Sequence, residues 1–228
     1  MNFITQPIIF ATGQFATQCI RLDLVEIQTP DVGRKHTPGS IRNLLDPPPV
    51  VRLRLFGVDG HGTSTQAETE LNYELSTAGL VLSVDLLHTQ GSVTQLGIIA
   101  PLNHASSFAG DAYVQPLLID YQGRKDLLFT MGNLAVKRDG NFFLRYRLCD
   151  LFSAPTVLQN GLSFVAECHG VPFNVYSGPR FPGFAASTAL TKHLARAGVS
   201  VRIRVRDTVR AGLEGGNQPS EMPEFVVE

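Results

Sequence analysis

An antiparallel β-sandwich of the immunoglobulin type, with one short helix near the C-terminus and long loop insertions, is the fold class this sequence predicts. Three observations carry it. Apolar and polar residues alternate with a period of two over several separate runs, turn dipeptides stand between those runs, and one segment late in the chain has helical spacing. The βαβ alternation of nucleotide-binding folds is missing.

Taken in order, residues 1–19 read as an N-terminal extension, 20–210 as the sandwich domain and 211–228 as an acidic mobile tail. The tail holds four glutamates and no basic residue. The run VRLRLF at 51–56 places Arg52 and Arg54 on the outward face, and 80–87 follows as a further strand. The run FFLRYRLC at 142–149 repeats the pattern with Arg145 and Arg147 outward, and 162–168 and 173–176 add two more strands. Asp139-Gly140, Gln122-Gly123, Asn160-Gly161 and Pro182-Gly183 supply turns between roughly ten strands in all. The helix is expected over 188–197, with Ser187 or Thr188 as its cap, Leu190, Leu194 and Ala197 on its buried face, and Gly198 closing it. After it, VSVRIRVR at 199–206 predicts a final half-buried strand, with Arg202, Arg204 and Arg206 sharing the outer face. Residues 57–72 and 103–111 read as insertions or long loops.

Composition narrows function. Of 228 residues 43% are hydrophobic, enough for a substantial core, and a net charge of −1 gives no global pull toward nucleic acid or membrane. No stretch approaches the roughly 18 uninterrupted apolar residues of a membrane helix, so no membrane partner is expected. Pro7 and the lack of a basic n-region argue against a secretory leader, and three cysteines make no disulfide framework.

Catalytic templates fail in turn. The glycine-rich run at 57–62 lacks the Lys-Ser/Thr of a phosphate loop, and no Gly-x-Ser-x-Gly elbow occurs. Cys168 and His169 are strand neighbours that point to opposite faces, so no metal site is expected there, and Cys149 and Cys168 read as packing. No cofactor, metal or enzymatic activity is expected.

Basic residues are unevenly placed. Between 180 and 210 stand Arg180, Lys192, Arg196, Arg202, Arg204, Arg206 and Arg210 against the single acid Asp207. Such a bias marks either a polyanion-facing surface or a solvated sheet face. A second basic element, Arg34-Lys35-His36 with Arg42 after it, occupies a polar loop before Asp46-Pro-Pro-Pro49, a stiff run that would hold the loop in place. Arg34 and Lys35 suit phosphates, while Arg42 and Asn43 have the donor geometry to read base edges.

Several motifs together resemble the velvet domain of fungal transcriptional regulators. They are IRLDLVEIQTP at 20–30, LDPPPVVRL at 45–53, NLAVKRDGNFFLRYRLCDLF at 133–152, FNVYSGPRFPG at 173–183 and STALTKHLARAGV at 187–199, in that order along the chain. The resemblance implies a sandwich related to the Rel-homology fold that binds double-stranded DNA as a homodimer, or as a heterodimer with another velvet-family protein. It also implies a nuclear location and control of fungal development, sporulation and secondary metabolism. Family DNA contacts in the loop before the proline run would fall on Arg34, Lys35 and Arg42. Arg180, after Pro179, stands where relatives often carry two lysines. Arg42-Asn43-Leu44 replaces a paired Arg-Arg and Pro, so the loop is less basic than the family pattern. The competing reading is a protein–protein interaction module that heterodimerises and leaves most DNA contact to its partner. Phe181 and Phe184 are either dimer contacts or anchors for the helix.

Overall fold

Period-two alternation becomes two facing sheets in the computed structural model, which describes residues 6–38, 43–71, 77–89, 107–156 and 164–206. The strands are β1 (Ile8–Ile9), β2 (Cys19–Gln28), β3 (Val32–Arg34), β4 (Val50–Asp59), β5 (Ala67–Glu70), β6 (Leu80–His88), β7 (Phe108–Gly110), β8 (Tyr113–Val114), β9 (Leu117–Tyr121), β10 (Arg124–Thr130), β11 (Leu134–Val136), β12 (Gly140–Asp150), β13 (Phe164–His169) and β14 (Phe173–Tyr176). One sheet runs β1-β2-β4-β10-β9, with β5 added on β4. The other runs β3-β14-β12-β6-β8, with β13 added on β12. β7 and β11 make a separate ladder, and β3 with β14 is a parallel pair among antiparallel ones.

Alternate side chains of the two sheets meet in the core. Leu22, Leu24, Leu53, Leu55, Leu127 and Phe129 come from the first sheet, and Leu82, Val84, Leu86, Leu144, Tyr146 and Leu148 from the second, all buried. Each such side chain removes apolar surface worth about 1.5–3 kcal/mol. The sandwich begins earlier than the sequence suggests: β1 pairs with β2, and Phe10 and Phe15 are core residues, so the expected extension is partly structural.

Helix α1 (Ala189–Arg196) forms where the spacing places it and covers the outer face of the first sheet. Leu190 and Leu194 join Val50, Ile119 and Leu128 in a second apolar cluster. Thr191 is buried on this face and Ala197 is exposed, the reverse of the simple helical count. The Thr188 hydroxyl caps the helix by accepting the Thr191 N–H at 3.0 Å, and Gly198 leaves it at a φ of +84°, where a side chain is strained. Gln28 ties the helix to the sheet. Its amide donates to the Pro48 carbonyl at 2.8 Å and to Thr191 Oγ1 at 3.0 Å, while its oxygen accepts from Thr188 Oγ1 at 2.5 Å.

The expected last strand is absent: residues 199–206 form no strand and join no ladder. They cross the turn after β10, where Gly132 admits the Ser200 carbonyl; a Cβ on Gly132 would lie 2.2 Å from that oxygen. The arginine row also breaks up, because Ile203 and Val205 are exposed whereas Arg204 turns in and pairs with Asp46. Arg145 and Arg147 likewise leave solvent, both donating to Oδ2 of the buried Asp85 on neighbouring β6, at 2.7 and 2.8 Å. The two loop regions are partly ordered as strands, β5 in one and β7 in the other. Residues 90–106, like 157–163 and the tail from 207, lie outside the described residues.

Two stability predictions follow from buried polar groups. Asp46→Ala strands the Arg204 guanidinium, whose side chain is only 11% exposed, and should cost about 3–5 kcal/mol in chemical denaturation. Asp46→Asn combined with Arg204→Met should lose much less than the sum of the single variants. The second concerns Tyr146, fully buried, which donates to Glu26 Oε1 at 2.5 Å. Burial, then Glu26, raises its phenol well above the usual value. The folded chain thus keeps a proton that the unfolded chain releases, so this stability is complete below pH about 10 and lost as pH rises beyond it. Tyr146→Phe should cost about 1.5–3 kcal/mol at neutral pH and flatten the alkaline limb of a denaturation series.

Candidate nucleic-acid interface

The site expected from sequence is assembled by β3 and the elements that hold it. Asp46 fixes the start of β3 through its backbone: its carbonyl accepts from Asp31 N and Val32 N at 3.0 and 3.1 Å, and its N–H donates to the Val32 carbonyl at 3.1 Å. Past the strand, Lys35 N donates to the Tyr176 carbonyl and His36 N to the Val136 carbonyl, both at 2.8 Å. The segment 34–36 is therefore stitched to β14 on one side and to the end of β11 on the other.

The individual side chains differ in what they offer. Arg34 is exposed, with its guanidinium 5.5 Å from the centre of the Phe181 ring, a contact worth about 0.5–1 kcal/mol at such a site. Its donors remain turned to solvent. Lys35 is half-exposed and its Nζ lies 3.3 Å from Asp139 Oδ1 in the turn between β11 and β12. Arg180, the last residue of the 3₁₀ turn Gly178–Arg180, is exposed. Arg42 lies outside the described residues. Asn43 requires a correction: it is 5% exposed and its amide donates to the Lys35 carbonyl at 2.8 Å, so it closes the loop and faces away from any base. The part-buried Lys35 carbonyl thereby gains a donor.

The aromatic pair packs against itself and against Arg204. The Phe181 and Phe184 rings stand edge to face at 4.6 Å, and the Arg204 guanidinium lies 3.9 Å over Phe184 while pairing with Asp46. Burial pushes the Asp46 carboxyl up, with Arg204 drawing it back, and pushes Arg204 down, with Asp46 opposing. A ring of contacts thus runs from Arg34 through Phe181, Phe184 and Arg204 to Asp46, and back to β3.

Sequence reasoning passed over Lys137 and Arg138, which precede Asp139-Gly140 in the turn that Lys35 touches. Arg138 is exposed and stands in no ion pair among the described residues. Two adjacent basic residues ahead of a turn dipeptide were the available signal. Among the described residues no three His, Cys, Asp or Glu side chains converge. Burial raises the Cys168 thiol to about 12 and leaves it a packing group.

Comparison with known proteins places the chain. The family model described as "Velvet factor" matches residues 103–208. A "Probable velvet family sexual development regulator" of Schizophyllum commune is 41% identical over 90% of this chain and 79% of its own length. Another of the same description, from Laccaria bicolor, is 38% identical over 92% of this chain and 76% of its own. A "Developmental and secondary metabolism regulator" of Cochliobolus heterostrophus is 30% identical over 92% of this chain and 36% of its own length. These relatives are named as regulators rather than as enzymes, and similarity at this level over most of both chains makes this protein a member of the velvet family.

Proposed function

We propose that this chain is a regulator of fungal development and secondary metabolism that binds double-stranded DNA as a homodimer or as a heterodimer with another velvet-family protein, and that it acts in the nucleus. The observation that supports the reading is that exposed Arg34 and half-exposed Lys35, at the end of β3, border the segment after β14 that carries exposed Arg180, with the Arg34 guanidinium 5.5 Å from the ring of adjoining Phe181. Guanidinium and ammonium groups held this way neutralise phosphates whatever the base sequence. Arg42, adjoining this surface in sequence, is the candidate for a base edge in the major groove.

A protein-interaction module is the second reading, and two observations favour it. Lys35 already has an acidic partner, and Asn43 is turned inward. Exposed Tyr113, Leu117 and Leu118 sit on β8 and β9, the outermost strands of the two sheets among the described residues, where a partner would cover them.

Titration of duplex DNA at several salt concentrations tests the first reading. Arg34→Ala and Arg180→Ala should each flatten the slope of log affinity against log salt by about 0.9 and weaken all sequences alike. Arg42→Ala should instead cost roughly 1–3 kcal/mol on a selected site and much less on random DNA. Unaltered affinity and slope in the folded triple variant would remove this surface from DNA contact and leave the interaction module.

A further inference from the structure

Resting on the DNA reading above, we infer that the turn between β11 and β12 belongs to the same phosphate-binding surface, with Arg138 as a further contact and Asp139 as a built-in counter-charge that competes with phosphate for Lys35.

Placement is the first argument. His36 N is bonded to the Val136 carbonyl immediately before the turn, and Gly140 immediately after it is the ladder partner of Val175 in β14. The turn is therefore locked between the segment carrying Arg34 and Lys35 and the strand leading to Arg180. Asp139 reaches the first of these, since its carboxylate lies 3.3 Å from Lys35 Nζ. Asp139 is thus the one acid in the turn, placed beside Lys35 and next to Arg138.

Charge accounting is the second argument. Its own backbone N–H, then Lys35, hold the Asp139 carboxyl below the usual carboxylate range, so it is ionised wherever the protein works. A phosphate that engages Lys35 must displace this carboxylate or sit beside it, and the freed carboxylate takes up a cation as the DNA gives one off. Lys35 in the native chain therefore contributes less than a full phosphate contact. Exposed pairs of this kind are weak, so the exchange is open rather than forbidden. Arg138 carries no such partner among the described residues and contributes in full.

The experiment uses the complete chain and duplex DNA of random sequence, titrated across a salt series. Asp139→Asn, nearly isosteric at an exposed position, should tighten binding by up to about five-fold and steepen the salt slope by up to about 0.9. Arg138→Ala should flatten the slope by about 0.9. Lys35→Ala should cost more affinity in the Asp139→Asn background than in the native chain, which a general change of net charge does not produce. Asp59→Asn, the same charge change at an exposed position on β4 of the other sheet, should leave affinity near native. Salt-dependent binding by the native chain, with Asp139→Asn and Arg138→Ala both at native values, overturns the inference and leaves the DNA reading intact. An equal gain from Asp59→Asn, or additive effects of Lys35→Ala and Asp139→Asn, overturns the counter-charge. Failure of the native chain to bind duplex DNA at low salt overturns the DNA reading, and this inference with it.

Discussion

The buried ion pair between Asp46 and Arg204 is the interaction on which the rest of the arrangement depends. Its charges are costly to bury: desolvation shifts both groups toward neutrality against their mutual attraction. The pair is sustained by what surrounds it. Phe184 lies under the guanidinium, the Arg204 N–H donates to Ser187 Oγ at 2.9 Å, and the Ser187 N–H donates to the Arg204 carbonyl at 2.9 Å. These contacts join the segment 199–206 to the segment just before helix α1. Asp46 in turn holds β3 by its backbone, so one residue couples the C-terminal segment to the strand that presents Arg34.

The neighbouring polar network has the same character. Gln28 is buried at the end of β2 and satisfies the Pro48 carbonyl, the capping hydroxyl of Thr188 and Thr191 together. Networks satisfied this fully specify one geometry, because any slip leaves buried donors without acceptors. The proline run between Asp46 and Val50 is stiff and offers no amide of its own, so its position is set by these two neighbours. Apolar packing supplies most of the stabilisation, whereas the polar pairs fix where the helix, the proline run and β3 stand relative to one another.

The strands and the helix were legible because alternation and helical spacing are local properties. Thr188 as cap, Leu190 and Leu194 as the buried face and the strand pattern of β12 follow from neighbouring residues alone. The final arginine run misled because a period of two reports extended backbone and says nothing of whether a partner strand exists. Arg204 departs from its row because its carboxylate partner lies at the far end of the domain in sequence, which no local pattern encodes. At the site, Arg34 and Lys35 border the segment after β14 that carries Arg180, Arg42 lies outside the described residues, and Asn43 serves the loop instead. Arg138 was overlooked because its turn was read for its glycine and not for its charges.

Family membership and geometry converge on a regulator whose basic surface is positioned by a distant buried pair. The most direct measurement of that dependence is amide hydrogen exchange on the Arg204→Met variant beside the native chain. Loss of the pair should speed exchange at Val32, Lys35 and His36, and in the first turn of helix α1, while the amides of β6 and β12 keep their protection. Native protection at Val32, Lys35 and His36 in a folded Arg204→Met variant would contradict the account, because β3 would then hold its place without the clamp.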